Sequence, residues 1–213
     1  MWGTLTATWP GHIIMEEPLS PPEHEETAVD HDLMARIAGG DHQAFAELVE
    51  RHQHMVVGTV ARMLGDPSEA QDIAQQVFLR IWRNAKRYRP DARFTTYLFT
   101  VMRNLVFNEL RRRKRRNEVS SDEREDEHHL QIEDAGQASP DEQMANRELQ
   151  DAIEKAIADL PEAQRMAVVL RRYEQLPYEQ IAEILEVSLP SVKSLLFRAR
   201  ASLKESLSRY LEA

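Results

Sequence analysis

The chain contains no cysteine, so disulfides and thiol chemistry are excluded, and nothing argues for an oxidising compartment. No uninterrupted apolar run approaches the roughly 20 residues that span a bilayer, so membrane insertion is not expected. The opening MWGTLTATWPGHIIMEEPLS lacks a basic stretch followed by a sustained apolar one, which makes it a poor signal peptide. A cytoplasmic location is the expectation, and Met15 is a second conceivable start. No Gly-rich phosphate loop occurs among the 7 glycines, and Ser, His, Asp and Glu fall in no recognised nucleophile or metal-binding pattern. His52-Gln53-His54 and His128-His129 read as surface residues. Neither an enzyme nor a cofactor is expected.

What the chain has is segmented charge. The formal net charge is -9 over 213 residues. Residues 1–32 hold seven acids and no Lys or Arg, whereas residues 33–117 hold sixteen bases against eight acids. Residues 118–142 return to ten acids against one base, and residues 143–213 are nearly balanced. A basic module is therefore flanked by acidic segments. Its densest part, RRRKRR at 111–116, is a run of like charges that is best explained by an anionic surface lying against it.

Apolar periodicity predicts an all-α fold in two parts. Residues 1–27 are rich in Pro, Glu, Ser and His and read as a disordered tail. After a short helix near Leu33–Ile37, Phe45, Leu48, Val49, Met55, Val56, Val60, Met63 and Leu64 recur at helical steps behind an N-cap at Asp41. Gly65-Asp66-Pro67 ends that helix, and Ile73, Val77, Phe78, Ile81 and Trp82 stripe the next. Tyr88-Arg89-Pro90-Asp91 is a break, followed by a long helix from about Phe94 to Arg116. The first module is thus a helical bundle over residues 28–116. Residues 117–143 read as a flexible acidic linker kept extended by self-repulsion. It is either a solvated spacer or a mimic of nucleic acid.

A second helical module follows over residues 144–213. PYEQIAEIL, the short joint EVS and LPSVKSLLFRARASLKESL predict a helix-turn-helix. Val192, Leu196, Ala199 and Leu203 form the core face of the last helix, and Ser188 caps it. The opposite side carries Ser191, Lys193, Ser194, Arg198, Arg200 and Lys204. A helix that enters a major groove needs this division, with one face anchored and the other polar and cationic. Ser191 and Ser194 are candidates for base edges, and Lys193, Arg198 and Arg200 for bases and phosphates. Ser188 adds a helix N-terminus suited to a phosphate. Glu186 in the joint departs from the glycine that a left-handed turn favours.

The runs DIAQQVFLRIW, YRPDARFTTYLFTVMRNLVFNELRRRKRR and DLPEAQRMAVVLRRYEQLPYEQIAEILEVSLPSVKSLLFRARASL, in this order, resemble bacterial RNA polymerase sigma factors of the sigma-70 superfamily, extracytoplasmic-function subfamily. The resemblance implies a region 2-like module that binds core polymerase and the promoter -10 element, and a region 4-like module that reads the -35 element. It implies that Asp72, Phe78, Arg80 and Trp82 face the clamp of the polymerase's largest subunit. The flap region would be a further polymerase contact. Lys86, Arg87, Tyr88, Arg89 and Arg93 would lie beside the non-template strand, where Tyr88, Phe94, Tyr97 and Phe99 are stacking candidates. Arg103, Asn104 and Asn108 would contact -10 DNA, with Arg111, Arg112 and Arg113 holding the backbone. An anti-sigma factor is a further implied partner, and a stress or envelope signal the implied setting. The chain departs from the family at Gln71 and Gln76, where carboxylates are usual, and at Leu195, where Arg is common. The competing reading is a helix-turn-helix regulator without the sigma role, and a second is an adaptor that does not bind DNA.

Overall fold

The structure, a computed structural model, describes residues 24–119 and 140–211. The predicted acidic linker and N-terminal tail therefore lie mostly outside the described residues. In chain order the helices are α1 (His24–Ala38), α2 (His42–Leu64), α3 (Pro67–Asn84), a 3-10 turn (Ala85–Arg87), α4 (Phe94–Val119), α5 (Pro140–Ala158), α6 (Glu162–Arg172), α7 (Tyr178–Leu185), α8 (Leu189–Ser206) and α9 (Ser208–Leu211). Among the described residues there is no strand, as the periodicity predicts.

Local chemistry sets the boundaries. Asp41 caps α2, its carboxylate accepting from the N–H groups of Gln43 and Ala44 at 2.8 and 3.0 Å, which satisfies donors that have no partner inside the helix. Gly65 closes α2 with φ 69, a left-handed conformation open to glycine without steric cost. Asp66 then caps α3, and Pro67 occupies its first turn, where a missing N–H costs nothing. α1 is longer than the sequence suggests and begins at His24, inside the stretch read as tail.

The apolar stripes meet as expected. Leu33 and Met34 of α1, Leu48, Val56 and Val60 of α2, Val77 and Ile81 of α3, and Phe94, Leu98, Phe99 and Met102 of α4 are all buried. In the second module Met166, Val169, Leu170, Ile181, Ile184, Val192, Leu196 and Ala199 are buried. Each such Val, Leu, Ile, Phe or Met side chain contributes about 1.5–3 kcal/mol through removal of apolar surface from water.

The modules do not stand apart. α6 packs on α2, α7 packs on α4, and the buried apolar residues form one connected cluster. The expectation of two bodies joined only by a linker is thus incomplete. The structure adds a direct contact between them.

Candidate nucleic-acid interface

α7, the joint and α8 form the predicted helix-turn-helix. α7 ends in a paired backbone closure: Glu186 N–H donates to Glu183 O at 3.2 Å and Val187 N–H to Ala182 O at 3.0 Å. This geometry places Glu186 in the left-handed region, φ 56 and ψ 43. It is the position at which the sequence reading missed a glycine. Ser188 caps α8, accepting from Ser191 N–H at 3.4 Å. Its hydroxyl also lies 2.8 Å from that of Ser191, and Ser194 donates to Pro190 O at 3.0 Å.

α8 is divided as a groove-reading helix must be. Val192, Leu196, Ala199 and Leu203 are buried, while Lys193, Ser194 and Arg198 are exposed and Ser191 and Arg200 half-buried. Leu195 is half-buried and packs on the core, so it supports the helix from the side. Phe197 was missed by the sequence reading. It is 73% exposed between these cations, and an aromatic there offers apolar contact to a thymine methyl. The signal was present in the sequence, since Phe197 falls off the four-three-four core register.

In the first module the candidate residues split into exposed and structural sets. Lys86, Arg87, Arg89, Asn104, Asn108, Arg111 and Arg112 are exposed. Arg113 is tied into the bundle instead: it donates to Leu64 O and to Glu69 Oε2, both at 2.7 Å. Arg112 pairs with the buried Glu109 at 2.9 Å. The RRRKRR block therefore spends part of its charge holding α4 to the ends of α2 and α3, while Lys114, Arg115 and Arg116 face solvent. That division depends on tertiary neighbours and is invisible in the run itself.

Tyr88 sits in an aromatic group with Tyr97 at 5.1 Å and Phe94 at 6.2 Å between ring centroids. Its buried hydroxyl has no hydrogen-bond partner among the described residues, and burial pushes the phenol up to about 12. Burial likewise raises Tyr97. Phe94 and Phe99 are core residues at 1% and 0% exposure, which leaves Tyr88 and Tyr97 as the half-buried stacking candidates.

On α3, Asp72 and Arg80 are exposed. Arg80 lines an open hollow of about 320 Å³ with Gln76, Leu79, Arg83, Asn84 and Leu105. Trp82 is half-buried and stacks on His42 at 4.7 Å. Phe78 departs from the surface role assigned to it, because at 5% exposure it belongs to the core. His52 is a second correction: it is buried, and Nε2 lies 3.0 Å from each carboxylate oxygen of Asp30. The Asp30 side chain on α1 covers it, a contact that local spacing could not reveal. Among the described residues no group of three or more His, Asp or Glu is arranged to hold a metal ion, and no helix is long and apolar enough to cross a membrane.

The remaining candidates, Arg93 and Arg103, face the second module. Arg103 is 6% exposed and donates through Nη2 to Glu186 Oε1 and to Asn104 Oδ1, both at 2.7 Å. Gln180 of α7, with its amide oxygen turned toward Arg93, accepts from Nε at 3.1 Å and Nη1 at 2.9 Å. A second contact joins α2 to α6 and the turn after it. Thr59 donates to Glu174 Oε1 at 2.7 Å, and the Arg62 guanidinium lies 4.1 Å from the centre of the Tyr173 ring. Arg165 donates to Met63 O and Ala158 O, which are carbonyls near the ends of α2 and α5. Burial lowers the pKa of Arg165 and raises those of Tyr173 and Glu174.

Comparison with known proteins agrees with this layout. Residues 48–116 match the family model for sigma-70 region 2, and residues 150–203 that for sigma-70 region 4. The chain is 34% identical over 184 residues to the RNA polymerase sigma-H factor of Pseudomonas aeruginosa, covering 85% of this chain and 95% of that protein. It is 33% identical over 186 residues to the ECF RNA polymerase sigma-E factor of Escherichia coli K12, covering 84% and 94%. In fold it is similar to RpoE of Bartonella quintana, solved with the anti-sigma factor NepR, with a TM-score of 0.62, 22% identity and coverage of 77% and 96%.

Proposed function

The chain belongs to the extracytoplasmic-function sigma factors of the sigma-70 family, and from that premise we propose how its parts divide the work of initiation. As a sigma factor it binds core RNA polymerase and directs it to promoters. In the proposed division, α8 lies in the major groove of the -35 element. Ser188 and Ser191 at its start, with Lys193 and Arg200, meet phosphates, while Ser194, Phe197 and Arg198 reach base edges. Lys86, Arg87, Tyr88, Arg89 and Arg93 line the path of the non-template strand at the -10 element. Arg103, Asn104 and Asn108 follow along α4, and Arg111 and Arg112 sit near the backbone. Unstacking a base costs a few kcal/mol, and stacking on Tyr88 or Tyr97 recovers about 1–3 kcal/mol.

The exposed face of α3, with Asp72, Arg80 and Trp82, is assigned to the clamp of the largest subunit, and the second module to the flap. Phe78 acts from beneath by holding α3 in place. The chain works in the cytoplasm without catalytic chemistry of its own. An anti-sigma factor is its proposed regulator, by analogy with the Bartonella relative, in response to a stress or envelope signal. The observation that carries the reading is the two-sided α8, anchored by Val192, Leu196 and Ala199 and presenting Lys193, Phe197 and Arg198. Reconstituted transcription from a promoter library, with purified core polymerase and with or without this chain, tests it. The expected result is initiation at a subset of promoters that share two sequence blocks. Library-wide initiation unchanged by the chain would refute it.

A further inference from the structure

The loop proposed to meet the -10 strand is short and open. Arg89, Pro90, Asp91 and Ala92 are all exposed, and Pro90 has no N–H to donate. A loop with so little packing keeps one shape only where a few specific contacts hold it. Its two ends are fixed within the bundle of the first module. Tyr88 N–H donates to Ala85 O at 3.1 Å, and Phe94, 1% exposed, starts α4 from inside the core.

Between those ends the loop is reached from α1. His31 Nε2 lies 3.2 Å from Ala92 O, and since a carbonyl oxygen only accepts, the imidazole donates. The same ring stands 6.0 Å from that of Tyr88, so one side chain meets the loop near both of its ends. Asp30, the residue before it, faces another way, because neighbours on a helix point about 100° apart. Asp30 is 3% exposed, and its carboxylate accepts from His52 Nε2 at 3.0 Å and from Arg51 Nε at 3.1 Å. The His52 ring in turn lies 5.1 Å from that of Phe94. Asp30 thus ties α1 to α2 at the same turn from which His31 holds the loop.

We infer that His31 is a positioning residue for promoter opening: anchored through the adjacent Asp30–His52 pair, it presets the 88–93 loop in the shape that captures the -10 strand. The inference rests on the proposed -10 role of that loop. Bases that leave the stack must be met before they pair again, and a loop ordered beforehand loses no conformational entropy at that moment. His31 therefore acts on the opening step and not on the first grip of duplex.

The test uses the full chain with core polymerase on a duplex promoter that the chain selects from the library, with 2-aminopurine in the non-template strand of its -10 element. Fluorescence reads the rate of opening, and competition before opening reads the affinity of the closed complex. His31→Phe keeps a ring beside Tyr88 and removes the donor, whereas His31→Gln keeps a side-chain N–H. Loss of one hydrogen bond predicts opening slower by about two- to tenfold in His31→Phe, with closed-complex affinity and melting temperature as in wild type. His31→Ala is expected to be as slow, and His31→Gln to recover most of the rate. Wild-type opening by both His31→Phe and His31→Ala, or a His31→Gln chain as slow as they are, would overturn the inference. A loss of closed-complex affinity that accounts for the whole loss of rate would also sink it, since His31 would then act on the first grip. Arg87→Ala with Arg89→Ala examines the underlying assignment separately. Unchanged opening in that double variant removes the -10 role of the loop, and the inference with it.

Discussion

Glu174 shows what one residue at the module contact does. Burial raises its pKa above the ordinary 4.5, while the Thr59 hydroxyl and the Arg62 charge oppose the shift. Tyr173, held against Arg62, is the other titratable neighbour. A carboxylic acid with a raised pKa is penalised in the folded chain when ionised, and the penalty fades as pH falls through the raised value. Glu174→Gln keeps an acceptor for Thr59 and removes the charge. It is expected to melt above wild type near neutral pH, with the difference shrinking as pH falls through the raised value, as thermal scans across the acidic range would read. Elsewhere at this scale, legibility followed range. The caps at Asp41 and Ser188 were readable because their partners lie two or three residues away. The burial of His52 under Asp30 and the engagement of Arg103 by Glu186 were not, because their partners come from other helices. The sequence did mark Glu186 as anomalous, and the missing reason lay across the module boundary.

Among the elements, α8 separates anchoring from reading most clearly. Leu196, 3% exposed, holds the helix, so Leu196→Ala is expected to lower stability by about 2–5 kcal/mol, measured by denaturant unfolding. Arg198→Ala removes an exposed side chain and is expected to leave stability within about 0.5 kcal/mol. It should weaken binding to a -35 duplex by about 1–3 kcal/mol, measured by titration at fixed salt. If both variants lost DNA binding only in proportion to lost stability, the division of the helix would be wrong. This element was well read in advance, because a three-to-four-residue period and a capping serine are local signals. α4 was read less well. Its apolar face was evident, but six adjacent cations gave no sign that Arg113 turns inward to Leu64 and Glu69 while Lys114 faces out. α1 was underestimated because its first turns, His24 onward, carry acids and few apolar residues.

At the scale of the whole molecule, the order of modules was legible and their contact was not. Each module's stripes close a core locally, so the sequence reads as two self-sufficient bodies. The packing of α6 on α2 and α7 on α4 rests on pairings more than 80 residues apart, such as Arg103 with Glu186, and no periodicity reports these. A shared apolar cluster predicts coupled melting. Calorimetry of the unbound chain is expected to give one transition, with a calorimetric enthalpy equal to the van't Hoff value. Two resolved transitions in the wild-type chain would mean that the modules unfold independently.

The orientation of α8 has a consequence for the order of events at a promoter. Its cationic side and Phe197 remain open to solvent, while Arg103 of α4 is buried and bonded to Glu186. If α8 is the upstream reader, as proposed, it can reach duplex without any rearrangement of the modules. Under the proposed division of roles, the distal grip forms on intact helix, so that melting begins only where the first contact has already been made.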